Sequence, residues 1–312
     1  MRKTIVAYGE ILWDILPDGS VLGGAPFNFA YRVHTLNDRA RMISRLGRDD
    51  LGRQAYEKVL ELGLDTSLIQ WDEHHPTGTV QVSFDQDHRP DYVIVPEVAY
   101  DYLESSEALI QAVAEADVVC FGTLIQRQEQ SRKTLAELLE HSADSIKILD
   151  INLRKKCFST ETITDSLEVA DILKLNETEA GQLARMLAIA ETEIPKICEI
   201  MLERFELTCC VVTLEERGAF AITSRGEKIY DPGYRVEIVD SLGAGDAFTA
   251  GFINKILRDS SLSEASNYGN VLGAIVTTQT GATGPISPDK IISFNTQNID
   301  RIIDPKLEDF IQ

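Results

Sequence analysis

Residues 240–251 read Asp-Ser-Leu-Gly-Ala-Gly-Asp-Ala-Phe-Thr-Ala-Gly. Three parts of that string could do chemistry. Gly243 and Gly245 open backbone angles closed to other residues and let a ligand approach closely. The amides of Gly243, Ala244 and Gly245, left unpaired at the positive end of a helix, make a place for an anion, most often a phosphate. Asp246, in the first helical turn beside them, can accept a hydroxyl proton. Such an arrangement needs a strand to deliver the turn, predicted over 235–239 from its β-rich composition. It also needs a following helix, predicted from the spacing of Phe248, Phe252, Ile256 and Leu257. By itself the string is equally a tight strand-to-helix turn with an acid in its first turn, because short glycine motifs recur by chance.

A second glycine segment lies near the N-terminus, Leu22-Gly23-Gly24-Ala25-Pro26-Phe27-Asn28-Phe29-Ala30. It predicts a glycine pair entering a helix that runs to Leu36, with Asn28 one turn in and offering both a donor and an acceptor. Upstream, Asp14 stands among apolar residues after a first strand at 4–8. An acid in that setting is paired or used, unless strand alternation turns it to solvent.

The elements that position these residues alternate along the chain. A strand, turn and helix span 43–62. Strands at 77–84 and 91–95, joined by a turn at 85–90, form a hairpin. Strands follow at 118–121, 145–150, 170–175 and 211–214, with helices at 128–141 and 195–204. This order predicts a doubly wound α/β fold, a mostly parallel sheet with helices on both faces and ligands at the carboxyl ends of its strands. A helix is predicted at 263–278, and a closing helix in the tail, 298–312. Arg154 follows one strand end. Asn176 and Glu179 follow another, where Asn followed three residues later by Glu is also the signature of a helix cap.

With 312 residues, 44% of them hydrophobic, the chain can bury a sizeable core. A formal charge of −20 argues against a nucleic-acid backbone or an anionic membrane as partner. No run of about 18 apolar residues occurs and no apolar signal region opens the chain, so a cytoplasmic location is expected. Five cysteines without metal spacing fit a reducing compartment, with Cys209 and Cys210 as core thiols. His74, His75 and His88 have no metal spacing either and read as solvated loop residues.

The two glycine segments together resemble the signatures of the ribokinase-like (PfkB-type) carbohydrate kinases. The form Gly-Gly-Ala-Pro-x-Asn is most similar to that of fructokinases. The likeness extends from Gly9 to about Pro285. It implies one kinase domain over residues 1–312, with a small β-strand lid formed by segments of about 12–24 and 77–98. It implies an ATP-dependent sugar kinase acting on a primary hydroxyl, that of fructose first. Kinases for ribose, ketodeoxygluconate or a nucleoside such as adenosine are alternatives, as is a non-catalytic binding protein on the same fold. A dinucleotide-dependent oxidoreductase is set aside for want of its glycine fingerprint.

Residue by residue, the resemblance implies that Asp14, Gly24 and Asn28 bind sugar hydroxyls. Residues 243–245 hold the transferring phosphate, Asp246 is the catalytic base, and Arg154 stabilises phosphoryl charge. Glu179 is implied to organise magnesium through water, Asn176 to face the nucleotide phosphates, and Thr213, Gly218 and Asn270 to contact the nucleotide. In the nucleotide loop the family reads Thr-x-Gly-x-x-Gly, whereas here Glu215 replaces the first glycine. Asp240 and the loop after the helix at 263–278 are implied as a monovalent cation site, with potassium as its ion. Lid strands that could pair between subunits make a homodimer an expected arrangement.

Overall fold

The computed structural model describes residues 2–16, 19–84 and 90–312. In chain order its strands are β1 (Thr4–Tyr8), β2 (Leu12–Leu16), β3 (Gly19–Gly23), β4 (Arg39–Gly47), β5 (Ile69–Asp72), β6 (Gly78–Phe84), β7 (Pro90–Ile94), β8 (Val118–Phe121), β9 (Ile146–Asp150), β10 (Ile172–Asn176), β11 (Cys209–Thr213), β12 (Ala219–Thr223), β13 (Lys228–Asp231), β14 (Gly233–Tyr234) and β15 (Arg301–Ile302). The helices are α1 (Ala25–Thr35), α2 (Asp50–Glu61), α3 (Glu107–Ala114), α4 (Glu129–Glu140), α5 (Thr160–Val169), α6 (Glu177–Met186), α7 (Ile194–Arg204), α8 (Ala244–Ile256), α9 (Leu262–Thr277) and α10 (Pro288–Thr296).

Nine strands form one sheet in the order β13-β12-β11-β10-β9-β8-β1-β4-β5, parallel from β11 to β5 and antiparallel at β12 and β13. Successive residues of β1 feed opposite faces. Val6 and Tyr8 join a core with α3 to α7, while Ile5 and Ala7 join one with α1, α2, α8 and α9. Covering both faces is what a parallel sheet requires. Its carboxyl ends therefore lie together on one rim, at Tyr8, Phe121, Asp150, Asn176 and Thr213.

A separate four-stranded sheet, β3-β2-β6-β7, is built from the two segments expected to form the lid. Its centre is the parallel pairing of β2 with β6, from Leu12 opposite Gly78 to Ile15 opposite Gln81. Asp49 anchors its root. The carboxylate caps α2 at the Gly52 amide and also accepts the amide and hydroxyl of Thr77, which precedes β6. Of the expected turn at 85–90, residues 85–89, including His88, lie outside the described residues.

Two expected elements take other forms. The stretch 235–239 is not a strand: its amides go to scattered carbonyls, Arg235 to Asp300 and Val239 to Thr277, and no strand among the described residues pairs with it. Ile238 and Val239 stand 59% and 61% exposed, so β-branched composition there reflects no sheet. The tail at 298–312 is not a helix. Arg301 and Ile302 pair with β14, Pro305 blocks helical continuation, and Leu307 and Phe310 pack on the β12–β13 end of the sheet. All five cysteines are free and buried, as expected of core thiols.

Candidate active site

The glycine turn delivers α8 directly to the sheet rim. Gly243, the N-cap, has φ 77°, and a Cβ there would fall 2.3 Å from the Ala282 side chain, so the turn tolerates only glycine. The amides of Gly243 and Gly245 have no acceptor among the described residues, while that of Ala244 leans to the Ser241 carbonyl at 3.3 Å. Two amides at a helix N-terminus thus remain open to an anion.

Asp246, one residue on, is buried. Its carboxylate accepts a hydrogen bond from the Asn28 amide at 2.9 Å. Burial and the neighbouring Asp150 push its pKa up to about 6, against the pull of Lys174, Asn28 and Arg154. Asn28 is placed by the entry to α1. Gly24, at φ 114°, has room only for hydrogen because a Cβ would meet the Glu10 carbonyl oxygen at 2.4 Å, and its own carbonyl takes the Asn28 amide at 2.9 Å. The Asn28 side-chain oxygen is buried without a partner.

Asp14 lies on β2 opposite Val21, with Oδ2 2.9 Å from where a Cβ on Gly23 would stand. Burial raises its pKa and Arg154 lowers it. Arg154 itself is exposed after β9 and has no hydrogen-bond partner among the described residues, so the alternative of a surface ion pair is not realised. Its charge acts on Glu10, Asp14 and Asp246 alike, which draws these acids around one cleft.

Three side chains at this rim were not singled out from the sequence. Asp150 ends β9 and is buried against Lys174 Nζ at 3.1 Å, with the Thr249 hydroxyl at 2.8 Å and the Asn152 amide at 3.1 Å. Lys174 lies close behind the anion turn, its Nζ 3.1 Å from a Cβ placed on Gly245. Glu10 is buried beneath the α1 N-terminus, accepts the Ala25 amide at 3.3 Å, and is pushed up to about 7 by burial. It lines a small pocket with Ala25, Thr123, Asp150 and Asn152. The signal for Glu10 was an acid closing an apolar strand. The one for Lys174 was a cation inside one.

The nucleotide-side candidates are engaged locally. Asn176 and Glu179 form the reciprocal cap of α6, at 2.9 and 2.8 Å. Glu179 also accepts the Leu153 amide at 2.9 Å, steadying the loop that carries Arg154. Each oxygen keeps a second acceptor site, so the buried carboxylate fits a water-bound magnesium. Thr213 sits beside Asn176 across β10 and β11, and Gly218 has φ 91°. Glu215 holds φ 56°, the left-handed region that the glycine it replaces would favour, so the loop keeps that turn at the expense of strain. Asn270 spends its amide on Asp231, at 2.9 Å to the carbonyl and 2.5 Å to the carboxylate. Asp240 accepts the amides of Leu242 at 3.0 Å and Gly281 at 2.9 Å. Thr213, Gly218, Asn270 and Asp240 share no hydrogen bond with the Asp246 group among the described residues. The His75 ring nitrogen lies 3.2 Å from the Asp72 carboxylate and the ring stacks on Tyr102, and no group of three metal-ligating side chains occurs among the described residues. No helix among them is long and apolar enough to cross a membrane.

Residues 19–290 match the pfkB carbohydrate kinase family. Fructokinase-1 of Zea mays is 27% identical over 310 residues, 90% of this chain and 94% of the maize protein. A sugar kinase of Pyrococcus horikoshii, solved in complex with ATP, has a TM-score of 0.78 at 26% identity, covering 93% of this chain and 97% of its own. The 2-dehydro-3-deoxygluconokinase of Thermotoga maritima shares the fold, with a TM-score of 0.83 at 18% identity over 95% of this chain and 99% of its own. With its glycine-capped helix set on the rim of a nine-stranded sheet, this chain belongs to the pfkB family of carbohydrate kinases.

Proposed function

We propose that the protein transfers the γ-phosphate of ATP to a primary hydroxyl of a neutral sugar, with fructose as that sugar. The observation that carries the reading is the buried Asn28–Asp246 hydrogen bond directly beside the open amides of Gly243 and Gly245. Asp14, Gly24 and Asn28 bind the sugar, and the orphaned Asn28 oxygen is a ready acceptor for one of its hydroxyls. Asp246 takes the proton of the attacking hydroxyl. The glycine amides receive the phosphoryl group, with Arg154 in front and Lys174 behind to offset its charge. Catalysis is then mainly positioning and electrostatics. Glu179 is the residue that would hold magnesium through water, an ion that neutralises phosphate charge when bound. Asn176, Thr213, Gly218 and Asn270 belong to the nucleotide side. The β3-β2-β6-β7 sheet acts as a lid that keeps water from the phosphoryl group.

The balance of charge favours a neutral polyol. Glu10, Asp14 and Asp246 face one unpaired cation, Arg154, whose charge the phosphoryl group would use. A sugar carboxylate would meet those acids with no second free cation at the cleft among the described residues. That weighs against ketodeoxygluconate despite the shared fold. The test is ADP release from magnesium-ATP over a panel of sugars and nucleosides, with Asp246→Asn as control. Turnover strongest with fructose and absent in the variant supports the reading. Faster turnover of ketodeoxygluconate or a nucleoside overturns the sugar, and undiminished turnover in the variant overturns the base.

A further inference from the structure

Arg32 is the largest fully buried side chain among the described residues. It is 1% exposed and has no acidic partner among the described residues. Burial lowers its pKa, yet a guanidinium stays charged in proteins. One nitrogen, Nη2, donates to the carbonyls of Ala282 and Gly284, each at 3.1 Å. Nε and Nη1 are buried with no acceptor. A charged group left this bare is costly, and what partly offsets it is the pair of carbonyls at Ala282 and Gly284 and the Tyr31 ring 5.3 Å from the guanidinium.

That loop is the one the family resemblance marks for a soluble monovalent cation. The residues present do not fit one. Two loop carbonyls already accept from a fixed positive charge, the Arg32 guanidinium, and each Asp240 oxygen already accepts one backbone amide, that of Leu242 or Gly281. A second cation beside Arg32 would be repelled by it.

We infer that Arg32 is the built-in cation of this loop, a positioning residue that presses the 279–285 segment against the anion turn, so that phosphoryl transfer needs no added potassium. The route is short. Ala282, whose carbonyl Arg32 holds, is the residue against which Gly243 packs. Arg32 stands one helical turn beyond Asn28 on α1, so a single helix grips both sides of the α8 N-terminus, the base through Asn28 and the amides through Arg32.

The inference rests on the kinase reading, and its test separates the two. Turnover of magnesium-ATP with the best sugar of the panel would be compared in potassium chloride and in choline chloride at equal ionic strength, alongside thermal melts in the two salts. For the wild type, the rates should agree within about twofold and the melts should coincide. Arg32→Met should lose kcat by about tenfold or more with the sugar KM little changed, and potassium should restore part of that rate and raise its melting temperature. Arg32→Lys should fall between the two, because an ammonium keeps the charge but reaches fewer carbonyls. Potassium activation of the wild type by about tenfold or more overturns the inference and leaves the kinase intact. An unchanged kcat in a folded Arg32→Met also overturns it. If Arg32→Met does not fold, the wild-type salt comparison alone decides. Absence of turnover with every substrate in both salts overturns the kinase reading instead.

Discussion

Asn28 and Asp246, 218 positions apart, meet in one buried hydrogen bond of 2.9 Å, in which the amide donates to the carboxylate. The bond favours the ionised acid in a place where burial disfavours it. Asn28→Ala removes that support together with the proposed sugar contact. Its kcat/KM should fall by about 10- to 100-fold, and the acid limb of its pH–rate profile should move upward from that of the wild type. A limb that stays in place would disconnect Asn28 from the base.

Replacing Asp246 itself by Asn should lower kcat by about a thousandfold or more, because the hydroxyl proton loses its acceptor. Stability should move the other way. The folded-state pKa is raised, so this carboxyl favours folding when protonated, and that contribution is lost as pH rises through about 6. At about pH 8 the variant should be more stable by roughly 2 kcal/mol, read by denaturant titration. A variant less stable than wild type at that pH would contradict this account.

Glu10 extends the same argument to a group beside the site. With its pKa at about 7, its protonated form stabilises the fold fully below the ordinary glutamate range, and that help disappears as pH climbs through neutrality. Wild-type thermal stability should decline across that window, and Glu10→Gln should flatten the decline. Melts at stepped pH would read it directly.

Much of this was written openly in the chain. The alternation of strands and helices and the two glycine segments could be read because they rest on local spacing, whereas the Asn28–Asp246 hydrogen bond joins positions 218 apart. The buried pair of Lys174 and Asp150 could not. A lysine inside Ile172–Asn176 looks like a solvent-facing position until the neighbouring strand β9 supplies its acid at 3.1 Å, and that neighbour is a matter of sheet order. The 235–239 segment departs for the converse reason: its β-branched residues predict a strand, but β14 stops at Tyr234 and no ladder continues over 235–239 among the described residues. Nothing local to Arg32 announces a charge that answers to carbonyls 250 and 252 positions away.

Breaking the Lys174–Asp150 pair should be costly. Lys174→Met leaves a buried, uncompensated carboxylate and should destabilise the protein by about 3–5 kcal/mol. Adding Asp150→Asn should restore much of that stability. Turnover should remain low in the double variant if the ammonium behind Gly245 also offsets phosphoryl charge, and recovery of the wild-type rate would remove Lys174 from the mechanism.

Glu215 offers a gain rather than a loss. Gly at this position would relieve a left-handed conformation that costs a side chain roughly 1–2 kcal/mol, less the extra freedom glycine has when unfolded. Glu215→Gly should therefore match or exceed wild-type stability by up to about 1 kcal/mol. Under the proposed function it should also lower the KM for magnesium-ATP, since an exposed carboxylate would leave the loop assigned to the nucleotide. A raised KM would show that the glutamate serves the nucleotide.

Strands β8 to β13 lie side by side in the order in which a ribosome makes them. Successive strands become neighbours as they emerge, β8 to β11 through crossovers that carry α4 to α7 and β11 to β13 through short turns, so every strand of the sheet is made before the last quarter of the chain. The segment 240–251 arrives after that scaffold and must fold back across it to lay α8 against α1. A nascent chain therefore makes its framework strands early, while the sheet face that α8 and α9 cover, and Asp246 with it, is completed only late.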